Sequence, residues 1–284
     1  MAEPPEAYQV DKRKVRQSFE RAAGSYDQVA VLQREVGERM IERLDLIRVP
    51  PGQILDVGAG TGIASAALAK RYRKARVVAL DIARSMLHKA RKRAPWFSGM
   101  GFVCGDAEKL PLAQGQFDLL FSNLTVQWCL DLPATLGEFR RVLRPGGLLM
   151  FTSFGPDTLK ELRASWSRVD GRNHVNAFLD MHDVGDALMR AGFAEPVMDM
   201  ENFTLTYPDA HAVMRDLKLM GAHNVTAGRP RGLTGRGRMA AMVDAYEELR
   251  QDGRLPATYE VVYGHAWVPE TGQRVAIPEL GRRP

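Results

Sequence analysis

Residues 54–62 read Ile-Leu-Asp-Val-Gly-Ala-Gly-Thr-Gly, and this stretch decides the fold class. The apolar run up to Val57 is typical of a buried strand, and the glycines end it where a helical pattern begins. Glycine lets the backbone turn tightly and lets a ligand approach where a Cβ would intrude. Ile63 occupies the place where a dinucleotide fingerprint has its last glycine. The stretch predicts a strand, a ligand-binding turn and a helix.

The same alternation continues on the carboxyl side of this turn. Short apolar runs predict strands at 53–57, 76–80, 101–104, 117–122 and 148–154, and helical patterns lie between them at 61–72, 83–93 and 133–143. Strands that alternate with helices at this spacing indicate βαβ units. We therefore expect an α/β fold, with a Rossmann-like, doubly wound and mostly parallel sheet.

The flanking regions complete the predicted organisation. Residues 1–10 form a loose tail, and residues 11–268 form one domain. Within it we expect N-terminal helices at 11–47, a core at 53–206, a helical insertion at 207–257 and a last strand at 258–268, followed by an irregular tail at 269–284. In the later part of the core, helices are predicted at 158–169 and 181–191 and a strand at 197–206.

Acids stand at the ends of the predicted strands. Asp56 precedes the glycine turn, Asp81 ends the second strand nineteen residues beyond Gly62, and Asp106-Ala107 follows the third strand. A carboxylate at the second position accepts hydrogen bonds from a ribose diol and repels a 2′-phosphate. At the third position a carboxylate accepts from the amine of adenine, and the backbone N–H of Ala107 meets a ring nitrogen. The pattern predicts a nucleoside site.

With these residues the chain resembles the class I S-adenosylmethionine-dependent methyltransferases. The matching pieces are 55–62, 79–83, 105–111, 117–123 (Phe-Asp-Leu-Leu-Phe-Ser-Asn) and 141–147 (Arg-Val-Leu-Arg-Pro-Gly-Gly). They cover about residues 50 to 155 in the order of that class. The resemblance implies S-adenosylmethionine as cofactor, bound by Asp56, Gly58, Gly60, Gly62, Asp81, Ile82, Asp106, Ala107 and Asn123.

The flanks are more specific than the core. Residues 19–34, 122–129, 151–162, 169–174 and 216–224 are similar to the malonyl-acyl carrier protein O-methyltransferases of biotin synthesis, so the resemblance runs from about residue 11 to 268. It implies methylation of the free carboxylate of a malonyl thioester. That carboxylate is ionised at neutral pH and needs no general base, but it needs a cation to hold it.

The family pattern implies Tyr26, as part of a lid over the cofactor, and Lys218, as the cation, for the catalytic roles. Arg215 and Arg236 are the next candidates for the cation. Trp128 and Phe154 follow strand ends that face the cofactor, so they are expected to line the acyl pocket. The histidines and two cysteines have no metal-ligand spacing, so no metal site is expected.

The expected partner is an acidic acyl carrier protein, or coenzyme A in its place. The chain has a net charge of +5, and four arginines without an acid lie between Arg229 and Arg238, where they could steer such a partner. No aromatic residues alternate with these arginines, which argues against nucleic acid. Without a long apolar run or a disulfide framework we expect a cytoplasmic, membrane-free protein; the oligomeric state stays open.

Two other functions fit the same cofactor motifs. One is a methyltransferase acting on another small acid, a quinone or a phenol, and turnover of small acids without a carrier would favour it. The other is a methyltransferase-like assembly factor that modifies proteins, of the arginine hydroxylation type. The intact glycine turn and the Tyr26-Asp27 pair argue for cofactor binding but do not separate these alternatives. A third possibility, a cofactor-binding regulator without catalytic activity, is disfavoured because the motifs are intact.

Overall fold

The computed structural model describes residues 11–47, 50–96, 98–172, 174–220 and 235–270. Their strands form one seven-stranded sheet with the order β3-β2-β1-β4-β5-β7-β6. The strands are β1 Gln53–Val57, β2 Arg76–Asp81, β3 Gly101–Cys104, β4 Phe117–Ser122, β5 Leu143–Phe154, β6 Ala194–Tyr207 and β7 Leu255–Trp267. Only β7 runs against its neighbours, so the predicted doubly wound, mostly parallel sheet is confirmed.

Helices cover both faces of this sheet. The described helices are α1 Lys12–Ala22, α2 Tyr26–Val29, α3 Val31–Arg43, α4 Ile63–Arg71, α5 Arg84–Arg93, α6 Leu132–Val142, α7 Lys160–Ser167, α8 Met181–Arg190, α9 Ala210–Leu219 and α10 Arg236–Glu247. Apolar side chains of α3, α4, α7, α9 and α10 pack on one face, and those of α6 and α8 pack on the other. Alternate residues of each strand therefore enter two separate cores.

Two predicted elements differ in their bounds. Within the predicted N-terminal helices at 11–47, the part after α1 is divided into α2 and α3 at Ala30, whose ψ of 47° departs from helical geometry. Strand β5 begins at Leu143, five residues before the predicted start, and includes Gly146-Gly147. The predicted tail at 1–10, residues 271–284 of the predicted tail at 269–284, and residues 221–234, which include Arg229 and Arg231 of the arginine run, lie outside the described residues.

The parallel register brings the ends of β1, β2 and β4 to one edge of the sheet. Val57 pairs with Leu80, and the backbone N–H groups of Gly58 and Ala59 both donate to the Leu80 carbonyl at 2.8 and 3.0 Å. The glycine turn and Asp81 therefore meet at the carboxyl edge, where ligands bind in sheets of this kind.

Helix α1 lies above this edge and is attached to α5. The N-cap of α5, Ala83, has no side chain that could cap the helix. Glu20 of α1 replaces that cap, because its carboxylate accepts from the backbone N–H groups of Arg84 at 2.7 Å and Ser85 at 3.0 Å. A carboxylate at a helix N-terminus is favoured by the free N–H groups and the helix dipole. In the described part of the chain no helix is long and apolar enough to cross a membrane.

Candidate active site

A cleft of about 650 Å³ lies between the carboxyl edge of the sheet and helices α1 and α2. Its floor comes from the turns after β1, β2, β3 and β4, and its roof comes from the two helices. The predicted residues that line it are Tyr26, Gly58, Gly60, Asp81, Ile82, Asp106, Ala107, Asn123 and Trp128. The structure therefore brings most of the predicted cofactor residues into one cavity.

All three glycines of the turn have positive φ angles, and two of them, Gly58 and Gly60, line the cleft. Gly58 has φ 73°, and a Cβ there would lie 1.9 Å from Oγ1 of Thr125. Gly60 has φ 54°, and only Cε1 of Tyr26, at 3.9 Å, would lie near its Cβ. Since L side chains disfavour this backbone region, both positions require glycine. At Gly60 the missing side chain leaves room in the cleft for a ligand.

Asp81 is held rigidly at the floor of the cleft. Its Oδ2 accepts from the Gly60 N–H at 2.8 Å, and its Oδ1 accepts from the Ala83 N–H at 2.7 Å. Each oxygen keeps a lone pair for a further donor. Burial raises the pKa of Asp81 to about 6, against the effect of these two hydrogen bonds, so the carboxylate is ionised at neutral pH and can accept from a ribose diol.

Asp56 lies behind the turn rather than in the main cleft. It is fully buried and accepts a short hydrogen bond from the Ser65 hydroxyl. Burial raises its pKa to about 7. Gly62, the third predicted glycine, is the N-cap of α4 and packs against Ala90, away from the cleft lining. These two residues shape the glycine turn from its outer side.

Asp106 meets a cation that the sequence analysis did not single out. Nζ of Lys12, in the first turn of α1, lies 2.8 Å from Oδ1 of Asp106 and 3.1 Å from Glu108. The carboxylate expected to meet adenine therefore also attaches the start of α1 to the cleft. Nothing in the local sequence indicates this contact, because 94 residues separate its partners.

Three aromatic side chains cover the cleft. The Phe19 ring meets the Trp128 ring edge to face with centroids 5.6 Å apart, and it meets the Tyr26 ring in the same way at 6.5 Å. Burial raises the pKa of the Tyr26 hydroxyl well above its ordinary value, and the nearby Asp81 and Asp27 add to this effect. Tyr26, which was predicted as part of a lid, therefore lies over the cleft together with Phe19.

A second cavity of about 680 Å³ adjoins the cleft and shares Tyr26, Gly58, Gly60 and Asn123 with it. Helix α3 contributes Gln33 and Arg34 to its wall, and Asp56 lies on the opposite side. No carboxylate of the described residues lies within salt-bridge distance of the Arg34 guanidinium. Oε1 of Gln33 is buried without a hydrogen-bond partner. The cavity thus combines an unpaired cation with an unpaired acceptor.

Asn123 connects these two cavities to the sheet. Its Oδ1 accepts from the Thr152 hydroxyl at 2.8 Å, and its Nδ2 donates to the Gln33 carbonyl at 2.8 Å. One N–H of the amide remains for a ligand. The residue therefore both holds α3 against β4 and faces the predicted cofactor space.

The predicted substrate residues are less closely grouped. Lys218, Arg215 and Arg236 are exposed and line neither cavity. Phe154 does not face the cleft, contrary to expectation: it is 6% exposed and packs on Phe178 and Tyr259 with ring centroids 5.5 and 5.8 Å away. At the end of β5 the Phe154 side chain packs in the core beneath α7, where the burial of its apolar surface stabilises it.

The cleft offers few groups that could remove a proton from a substrate. Burial raises the pKa of the Cys129 thiol to about 11, and it raises the pKa of the Tyr26 phenol well above its ordinary value. Both are protonated at neutral pH, and no histidine is part of the lining. Within the described ranges no group of His, Cys, Asp and Glu is placed to hold a metal ion.

Several known proteins are similar to this chain in sequence or in fold. Residues 55–151 match the methyltransferase domain family. A malonyl-acyl carrier protein O-methyltransferase from Methylovorus sp. (strain MP688) is 55% identical over 280 residues, which cover 96% of this chain and 94% of the relative. The protein of the same name from Gallionella capsiferriformans (strain ES-2) is 56% identical over 266 residues, covering 92% of each chain. The crystal structure of the YcgJ protein from Bacillus subtilis superposes with a TM-score of 0.59 at 15% identity, covering 82% of this chain and 99% of that one.

The sheet order, the glycine turn and the acids at the strand ends define a class I S-adenosylmethionine-dependent methyltransferase. Within that class, the family is decided by relatives that share more than half of their residues with this chain over almost its whole length. The chain belongs to the malonyl-acyl carrier protein O-methyltransferase family, which confirms the resemblance drawn from the flanking segments.

Proposed function

We propose that this enzyme transfers a methyl group from S-adenosylmethionine to the free carboxylate of a malonyl thioester on acyl carrier protein, an early step of biotin synthesis. The observation that carries the proposal is the identity of more than half of all residues to relatives of that name over almost the whole chain. The cleft geometry supports it independently.

The residues of the cleft fit the cofactor. Gly60 leaves a space that any side chain would fill, and the Asp81 carboxylate is fixed beside it for the ribose hydroxyls. Asp106, the Ala107 N–H and Ile82 line the part assigned to adenine. The cofactor supplies a methyl group on a sulfonium centre, which is an electrophile.

The protein's contribution is positioning and exclusion of water. A carboxylate is already a nucleophile at neutral pH, so the enzyme needs no base, and the protonated state of Tyr26 and Cys129 is compatible with that chemistry. Methylation of a phenol or an alcohol would require a base, and the two carboxylates of the lining, Asp81 and Asp106, are already engaged by backbone N–H groups and by Lys12. The cover of Phe19, Tyr26 and Trp128 removes water from the reacting groups, which strengthens their electrostatic interactions.

Four cations are candidates for holding the malonyl carboxylate. Lys218 is the residue implied by the family pattern, and Arg215 and Arg236 follow it. Arg34 is the cation that the second cavity places beside Tyr26 and Asn123, where it would hold either the malonyl carboxylate or the carboxylate of the methionine part of the cofactor. A single arginine or lysine provides the charge that either role needs.

The partner and location follow from this chemistry. We infer that the acyl group arrives on the carrier protein in preference to coenzyme A, because the relatives are named for the carrier. The two cysteines are free thiols, which agrees with the expected cytoplasmic location.

Mass spectrometry of the acyl group tests the function directly. Incubation with S-adenosylmethionine and malonyl-carrier protein should replace one hydrogen by a methyl group on the malonyl carboxyl. Malonyl-coenzyme A, succinyl-carrier protein and a small phenol serve as comparison substrates. Methylation of the phenol but not of the malonyl thioester would refute the proposal.

A further inference from the structure

Helices α1 and α5 together form a strongly basic face. They carry ten lysines and arginines but only one acid, Glu20. This exceeds the net charge of +5 of the whole chain, so the positive charge is concentrated here. The two helices are neighbours, since the Glu20 carboxylate of α1 caps α5.

Several of these cations are used within the protein. Lys12 pairs with Asp106, Lys14 pairs with Asp11, and Arg93 pairs with Asp27. Others point to solvent and have no carboxylate within salt-bridge distance in the described part of the chain: Arg13, Arg21, Arg84, Lys89 and Lys92. We call these five residues the α1–α5 basic face.

A large apolar side chain lies beside the face. Trp96, four residues beyond Lys92, is 86% exposed. Tryptophan and arginine are the residue types that most often dominate the binding energy of protein interfaces. An exposed tryptophan next to a cationic surface is therefore suited to an acidic protein partner that offers an apolar pocket.

The face also lies in the right place for a partner that delivers a substrate. Val15 and Phe19 of α1 form the roof of the cleft, and Met86 of α5 lines it as well. The unpaired cations of the same two helices are exposed and do not line the cleft. A protein bound there would lie directly beside the cleft entrance, within reach of a flexible prosthetic arm.

We propose that the α1–α5 basic face, with Trp96, is the docking surface for the acidic carrier protein. The inference rests on the proposed function for the identity of the partner, and it assigns docking to other residues than the Arg229–Arg238 run that the sequence indicated. Complementary charge would act mainly on the association rate and would weaken with salt. A nucleic acid or an anionic membrane is the alternative partner for such a surface.

Charge reversal on both helices tests the surface. Arg21→Glu/Lys92→Glu should lower kcat/KM for malonyl-carrier protein at least tenfold at low salt and weaken carrier binding, measured by calorimetry, to a similar extent. Turnover of malonyl-pantetheine, which has no protein part, should change less than twofold. The matched control is Arg73→Glu/Lys74→Glu, which reverses two exposed cations just before β2, at the opposite edge of the sheet from the cleft.

The possible outcomes distinguish failure of the docking proposal from failure of the proposed function. Equal effects of the two double variants, or an equal loss with malonyl-pantetheine, would overturn the docking proposal. Loss of binding to RNA or to phosphatidylglycerol vesicles with unchanged carrier binding would overturn it in favour of those partners. Wild type that binds the carrier through this face but never methylates it would leave the surface intact and refute the proposed function. Arg21→Gln/Lys92→Gln and Trp96→Ala provide milder variants if charge reversal prevents folding.

Discussion

Oδ2 of Asp27 lies 2.6 Å from Nη2 of Arg93, and the same arginine donates from Nη1 to the carbonyl and hydroxyl of Thr61 at 3.0 and 2.9 Å. The other Asp27 oxygen accepts from the Thr61 hydroxyl at 2.5 Å. Burial opposes ionisation of Asp27, but the hydrogen bonds from Arg93 and Thr61 hold its pKa below the ordinary value. The residue beside Tyr26 is thus joined to both α5 and the glycine turn.

Breaking this connection should loosen the cover over the cofactor. We expect Arg93→Met to weaken S-adenosylmethionine binding five- to tenfold, about 1–1.4 kcal/mol, as for a partly exposed charged hydrogen bond. Calorimetry measures the affinity, and Arg73→Met is the control for loss of a surface cation. An affinity equal to that of wild type would show that Tyr26 is held by other contacts.

Removal of the ribose acceptor should have a larger effect. We expect Asp81→Ala to weaken S-adenosylmethionine binding by about 1.5–3 kcal/mol, the range for a lost hydrogen bond to a charged group. Asp180→Ala is a suitable control, because Asp180 also accepts a backbone N–H, at the start of α8. Unchanged affinity in folded Asp81→Ala protein would remove Asp81 from the cofactor site.

Gly60→Val tests whether the space above the turn belongs to the cofactor. The valine side chain would occupy the cleft near Tyr26, so we expect loss of measurable cofactor binding. Gly99→Val controls for backbone strain, since Gly99 has a similar φ of 63° and no atom within 4 Å of a built Cβ. Equal loss of binding in both variants would trace the effect to destabilisation.

The buried acids predict a pH dependence of stability. Asp56 and Asp81 have pKa values of about 7 and 6 in the folded protein, above the ordinary 3.8. Between pH 4 and 7 the unfolded chain therefore loses these protons first, and the free energy of unfolding falls as the pH rises through that window. Asp56→Asn should flatten this decline in thermal melts between pH 4.5 and 7.5. A profile as steep as that of wild type would contradict the raised pKa of Asp56.

The carboxylate clamp can be assigned by comparing Arg34→Met with Lys218→Met. If the site closes around the bound substrate, the variant that removes the clamp should lower kcat/KM about 10²-fold, equivalent to about 3 kcal/mol for a charge partner that substrate binding buries in part. Because Arg34 lines a cavity and Lys218 does not, we expect the larger loss for Arg34→Met. If its cofactor affinity also falls, Arg34 holds the methionine carboxylate, whereas a loss confined to Lys218→Met would support the family-based assignment.

The fold and the floor of the cleft were predictable because their signals are local. The strand before Gly58 and the acid at the end of the next strand are each read from a few neighbouring residues, and parallel pairing then brings them together. The roof was only partly predictable. Tyr26 was indicated by family resemblance, but the contacts of Lys12 and Arg93 join residues 94 and 66 positions apart.

Phe154 shows why sequence reasoning did not locate every residue expected at the acyl pocket. The sequence gives the end of a strand but not which layer covers its last side chain. Here Phe178, from the connection between α7 and α8, and Tyr259 of β7 cover it, and that arrangement depends on chain segments far from residue 154.

The antiparallel position of β7 has a consequence for synthesis of the chain. Strand β6 pairs with one side of β7 along its length, from Tyr207 opposite Leu255 to Ala194 opposite Trp267. Strand β5 pairs with the other side of β7. Until residues 255–267 have left the ribosome, both β5 and β6 have an open edge, and such edges associate with other chains. The edge of β5 therefore stays open from the synthesis of residue 154 until residues 255–267 follow, and during that interval the nascent sheet is prone to aggregate.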